Sequence, residues 1–202
     1  MKKIYILALA FAGLTSAVFA QKGTILTYGS VQVNSKKDNA GLKNTSFTIA
    51  PGIGYQFHNN WTTGINLTFI GTKSELAAPN TGNFNKVSGF AVGPFVRYTK
   101  NLSNIFSIFV HGNFNYVSAT SKPYSTTPVT PLKATGFRGE ILPAVAINVK
   151  NGFALNFGFG SLSYSTIKST LAGSKSTSDF GVTFGNEVNI GVSKNFSLKK
   201  KK

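Results

Sequence analysis

The chain has 202 residues and a formal charge of +16, from 21 Lys and Arg against five Asp and Glu. It contains no cysteine, which excludes a disulfide framework, a thiolate metal site and a lipoprotein anchor. So basic a chain calls for an anionic partner; an exported protein seldom meets nucleic acid, so the partner expected for this one is a membrane surface rather than nucleic acid.

Export is read from residues 1–20. Lys2 and Lys3 supply a charged start, Ile4 to Leu14 an apolar stretch, and Val18-Phe19-Ala20 a small-residue cleavage site before Gln21. Removing the two lysines lowers the charge from +16 to about +14. The apolar run is shorter than the ~20 residues of a membrane helix, and no later segment reaches that length. Residues 21–198 then form one domain, followed by a basic tail at 199–202.

The domain divides into eight segments that alternate apolar and polar residues, expected as strands near 23–34, 45–57, 61–71, 87–99, 105–118, 135–149, 152–165 and 178–198. The two faces of the first are about equally apolar. In the second, Phe47, Ile49, Pro51, Ile53, Tyr55 and Phe57 share one face, against Thr48, Ala50, Gly52, Gly54 and Gln56. The third sets Trp61, Ile65, Leu67 and Phe69 against Thr62, Gly64, Asn66 and Thr68; the fifth sets Phe106, Ile108, Val110, Phe114 and Tyr116 against Ser107, His111, Asn113 and Asn115. The seventh opposes Phe153, Leu155, Phe157 and Phe159 to Asn156, Gly158 and Gly160. The eighth alternates for twenty residues, and only Asn186 and Lys194 interrupt its apolar face. Side chains alternate faces along a strand, so each segment has a bulky apolar side and a small polar side.

The connections alternate in length. His58-Asn59-Asn60, Lys100 to Asn104 and Lys150-Asn151 are tight turns, whereas 35–44, 72–86, 119–134 and 166–177 are long and polar. That is the connectivity of an eight-stranded antiparallel up-and-down β-barrel with both termini at the short-turn end. A soluble barrel or sandwich hides its bulky apolar face inside. Here the small face suits a narrow interior and the bulky face suits lipid, so a transmembrane β-barrel is expected. Aromatic residues gather at both strand ends: Tyr55, Phe57, Trp61, Tyr98, Phe106, Phe153 and Phe196 by the short turns, and Phe47, Phe69, Phe114, Tyr116 and Phe137 toward the loops. Two such girdles mark the two lipid interfaces.

The run Pro51-Gly52-Ile53-Gly54-Tyr55-Gln56-Phe57 with Trp61, Gly64 and Phe69 resembles the Pro-x-x-Gly-Tyr-x-Phe hairpin of the outer-membrane β-barrel domain family, the OmpA/OmpX-like small barrels often labelled porin family. Gly93-Pro94-Phe95-Val96-Arg97-Tyr98 is similar to that family's Gly-Pro-Phe-x-Arg-Tyr strand, and Gly152 to Tyr164 to its penultimate strand. The resemblance implies the outer membrane of a Gram-negative bacterium, and contact with the barrel-assembly machinery during insertion. Such barrels usually end on an aromatic residue; here Phe196 is followed by Ser197-Leu198 and four lysines.

Charges turned into a narrow barrel are costly unless paired. Arg138 and Glu140 on the sixth strand and Glu187 on the eighth are expected inside, with Arg138 pairing with Glu187 or Glu140 across the lumen. Arg97 is expected inside and low, near Lys100, and His111 inside at mid-height. Such a set would fill the lumen or gate a narrow path. The lysines Lys36, Lys37, Lys43, Lys73, Lys122, Lys133, Lys168 and Lys175 are expected in the long loops, with Lys86 at a border, facing the anionic phosphates of lipopolysaccharide.

Catalysis finds no motif. The two histidines, His58 and His111, lie far apart, one in a turn and one in the lumen. No serine occupies a Gly-x-Ser-x-Gly elbow, and no phosphate loop follows the glycine-rich runs, so no cofactor or metal is expected. The expected role is structural or surface-interacting, with a filled lumen. A narrow diffusion pore and an adhesin acting through its loops on an unknown surface ligand are the alternatives.

Overall fold

The computed structural model describes residues 22–76, 82–124, 130–171 and 173–198, with the backbone alone at 186–188. Eight strands follow one another: β1 (Thr24–Lys37), β2 (Lys43–Gln56), β3 (Trp61–Glu75), β4 (Phe84–Asn101), β5 (Phe106–Tyr124), β6 (Leu132–Lys150), β7 (Phe153–Ser169) and β8 (Ser176–Ser197). Each pairs antiparallel with its chain neighbours and β8 returns to β1, closing an up-and-down barrel. There is no helix among the described residues. The eight-stranded all-β fold expected from the alternation is the fold observed.

The alternation sets the two faces. Ile53, Ile65, Val110, Phe114 and Ile141 are exposed on the outer surface, while Gln56, Thr62, Asn66, Ser107 and Asn156 are buried inside. Tight turns set the register at one end. Asn151 (φ 55°) and Gly152 (φ 75°) both take the left-handed conformation, which is the requirement of a two-residue hairpin turn matched to strand twist.

At the other end the strands run further than expected. The long connections shrink to 38–42, 76–83, 125–131 and 170–175. Residues read as loop, such as Thr72, Lys73, Thr120 and Lys122, continue the ladder. Threonine and serine tolerate an exposed strand well, so polar composition marks the end of the apolar girdle but not the end of backbone pairing.

Two departures bend the wall. The register of β7 shifts between Gly158 and Gly160, and its outward positions change from odd to even. Leu155 and Phe157 are outward below the shift, opposite Val192 and Ile190, whereas Leu162 and Tyr164 are exposed above it. A bulge moves the following side chains to the other face. In β8 the same level carries Gly185 at φ 74°, so the twenty-residue alternation is two strand segments joined by an irregular stretch that includes Asn186.

The closing seam is the shortest. β1 pairs with β8 only from Thr24↔Ser197 to Gly29↔Val192, six pairs, whereas β1 pairs with β2 along its whole length to Lys37. Above that point the flanking outward residues Val31, Val33, Phe180, Val182 and Phe184 are 65–74% exposed, against 38–57% for most outward residues elsewhere in the girdle.

Candidate functional site

In the half of the lumen nearer the short turns, four inward side chains converge, with Arg97 low as expected and His111 at its level. Arg97 on β4 and His111 on β5 are direct cross-strand partners. Arg97 Nε donates to His111 Nδ1 at 3.2 Å. An accepting Nδ1 leaves the proton of the neutral ring on Nε2, which lies 3.4 Å from the Tyr28 hydroxyl of β1. Phe95, two residues before Arg97 and so on the same face, stacks on His111 with centroids 4.7 Å apart. Tyr28 meets both rings edge-on at 5.3 Å.

Glycines make the room. Gly54 and Gly64 are paired across β2 and β3, and Gly64 is paired with Phe95 in turn. A Cβ on Gly54 would lie 2.6 Å from Phe95 Cζ, and one on Gly64 2.8 Å from its Cε1. Gly52 is the cross-strand partner of Tyr28 and leaves the space its ring occupies. Phe95 is 1% exposed as a result. The rule that bulk faces out and small residues face in therefore fails at Tyr28, Phe95 and Phe109, which the sequence reading missed. The signal was present: Phe95 shares the parity of Arg97, and three inward glycines on adjacent strands leave a gap that something must fill.

Arg97 is buried, and its guanidinium lies over the Tyr28 ring at 4.7 Å and the Phe109 ring at 4.3 Å. Desolvated cation–π contacts contribute about 2 kcal/mol each, against an effective cost of several kcal/mol for burying an ion. No carboxylate faces it among the described residues. Lys100, expected close by, sits on the outer face opposite Ile108.

The upper lumen is arranged differently. Arg138 pairs with Glu140 at 3.1 Å, two residues along the same strand rather than across the lumen, with side chains 48% and 19% exposed. Both are inward by strand parity yet solvated. The side chain of Glu187 lies outside the described residues. Asn66 Oδ1 and Asn115 Oδ1 are buried acceptors without a protein donor.

The short-turn end of the lumen is a cavity of about 360 Å³ running from Arg97 and Phe109 to the turn residues Asn104 and Asn151. Its wall mixes apolar residues such as Leu26, Phe109 and Phe153 with asparagines, serines and threonines, and contains no acid. Asn148 Nδ2 donates to Ser107 Oγ, which donates to Asn101 Oδ1, and Ser193 Oγ donates to Asn156 Oδ1.

Of the lysines expected in loops, Lys36, Lys37, Lys43, Lys73, Lys122, Lys133 and Lys168 lie in strand ends, and only Lys175 lies in a connection. Three form a row. Lys73 pairs with Lys86 and Lys86 with Lys122, so β3, β4 and β5 present three outward lysines at one level. Like charges directly opposite repel. Lys73 also lies 4.2 Å above the Phe84 ring, which stacks on Tyr124. The row stands four residues, about 13 Å at strand rise, beyond Phe69 and Phe90.

No family model matches the chain, and none of the curated proteins does. Solved structures do resemble it. Neisserial surface protein A is 14% identical, with a TM-score of 0.46, covering 87% of this chain and 98% of its own. Ail, the attachment invasion locus protein of Yersinia pestis, is 14% identical, with a TM-score of 0.42 and coverage of 87% and 100%. A major outer membrane protein from Thermus thermophilus is 4% identical, with a TM-score of 0.47 and coverage of 86% and 99%. Identities this low leave function to be read from this chain's own residues.

Proposed function

We propose that this is an integral protein of a Gram-negative outer membrane, exported by a signal cleaved after Ala20, with its short turns in the periplasm. Its role is structural or surface-interacting and not catalytic. The observation that carries the reading is the inverted barrel. An outer band of exposed Phe47, Ile53, Ile65, Phe114, Phe137 and Ile141 surrounds an interior made mainly of polar and small residues around the Phe95 cluster. A water-soluble protein rarely leaves so large an apolar surface open, and lipid covers it without penalty. Aromatic pairs such as Trp61 with Tyr98 and Phe114 with Phe137 sit at the two edges of that band.

In this reading the Tyr28, Phe95, Arg97 and His111 cluster fills the lumen and stops solute passage. The row Lys73, Lys86 and Lys122, with the other rim lysines, docks the phosphates of lipopolysaccharide, which relieves the repulsion along the row. The barrel-assembly machinery is the partner during insertion, and the absence of a recognisable nucleophile or metal motif argues against an enzyme.

The test has two arms. Fractionation should recover the protein in the outer membrane, resistant to carbonate extraction; release with soluble periplasmic proteins would end the membrane reading. Refolded protein should give no current in a planar bilayer, and discrete reproducible steps would replace the filled lumen with a pore.

A further inference from the structure

We propose that the cavity at the short-turn end of the lumen is a binding site for a small soluble oxyanion, a carboxylate or phosphate, held on Arg97. Several observations meet here. Arg97 is 6% exposed, yet among the described residues only one of its N–H donors, Nε, has a hydrogen-bond partner, His111. A guanidinium has five donors in a planar fork suited to two oxygens of one anion. The uncommitted edge belongs to a side chain that lines a cavity of about 360 Å³. That space is larger than a single water needs and is right for an anion of a few heavy atoms.

The wall selects the sign of the ligand. The cavity-lining residues include no Asp or Glu, and Lys150 stands at the mouth. The polar chain through Asn148, Ser107 and Asn101 and the bond from Ser193 to Asn156 both end on amide oxygens. Asn101 and Asn156 thus accept through their oxygens, and the Nδ2 group of each is a further donor on a side chain that lines the cavity. A cation would meet a buried guanidinium with no carboxylate in the lining to balance it; an anion meets donors and a positive charge. The ligand comes from solution rather than from lipid, because the cavity lies inside the closed lower wall, where β1 and β8 are paired. This site stands apart from the lipopolysaccharide-facing rim and does not depend on it.

Calorimetric titration of the folded barrel in neutral detergent with inorganic phosphate, and separately with acetate, at fixed ionic strength tests this. At least one anion should bind saturably at one site. Arg97→Gln should weaken that site tenfold or more. Thr99→Leu should do the same by filling the cavity while the guanidinium is kept, and it decides the matter if the Arg97 variant does not fold. Folding is scored by heat-modifiable migration on gels. Binding of neither anion to folded wild-type protein would overturn the proposal. So would affinities unchanged in the folded variants, which would place the anion on surface lysines.

Discussion

Arg97 and His111 face each other across β4 and β5, and the 3.2 Å bond from Arg97 Nε to His111 Nδ1 ties the most buried charge among the described residues to the lumenal histidine. The bond fixes the neutral tautomer with its proton toward Tyr28. It also holds the imidazole flat against Phe95. Four side chains from three strands thereby lock one another in the half of the lumen nearer the short turns.

The glycines under this cluster are expected to be intolerant. Gly54→Ala brings a methyl within 2.6 Å of Phe95 and 2.7 Å of a backbone oxygen. Overpacking of this kind costs about 1–3 kcal/mol. Urea unfolding followed by tryptophan fluorescence should show it, and Gly181→Ala, with its nearest neighbour at 3.2 Å, should cost less.

Phe95→Ala removes the cluster's fully buried ring. Large-to-small replacement of a buried Phe costs about 3–5 kcal/mol. If the ring also blocks the lumen, the folded variant should pass current in a planar bilayer where the parent is silent. Loss of stability with continued silence would assign Phe95 to packing alone.

Arg138→Ala should leave stability nearly unchanged. The sequence alone predicts a lumenal ion pair that is costly to break, but this one is solvated and local along β6, and exposed pairs contribute about 0–1 kcal/mol. A drop in the unfolding midpoint equivalent to about 2 kcal/mol or more would mean that the pair is shielded after all.

The lysine row predicts a salt-sensitive lipid affinity. Lys73→Gln, Lys86→Gln and Lys122→Gln together should weaken binding to lipopolysaccharide vesicles by about 1 kcal/mol per lysine at low ionic strength. The difference should shrink as salt rises. Equal affinity of parent and triple variant in low salt would remove the row from lipid contact.

The seam can be mapped by paired cysteines, since the chain has none of its own. Thr27→Cys with Lys194→Cys joins direct partners and should oxidise to a disulfide. Val31→Cys with Ile190→Cys extends the same register above Gly29, where pairing has ceased, and should stay reduced. Efficient oxidation of the second pair would show the seam closed along its length.

Alternation by itself determined the strand number, the order, the antiparallel pairing and the identity of the outward face, because a period of two leaves only one way to sort these side chains across a closed wall. It also placed Arg97, His111, Arg138 and Glu140 inside. The tertiary structure decided what that inside is. Parity sorts side chains between the two faces but does not fix which inward residues of different strands meet, so the packing of Tyr28, Phe95, Arg97 and His111 over Gly52, Gly54 and Gly64 came from the stagger of neighbouring strands. The assembled wall also showed that Arg138 meets Glu140, one of its two expected partners, along β6 itself, aligned Lys73 with Lys86 and Lys122, and ended the β1–β8 ladder at Gly29. Register between strands is set by bulges, turns and twist acting together, and these are properties of the assembled wall rather than of any one segment.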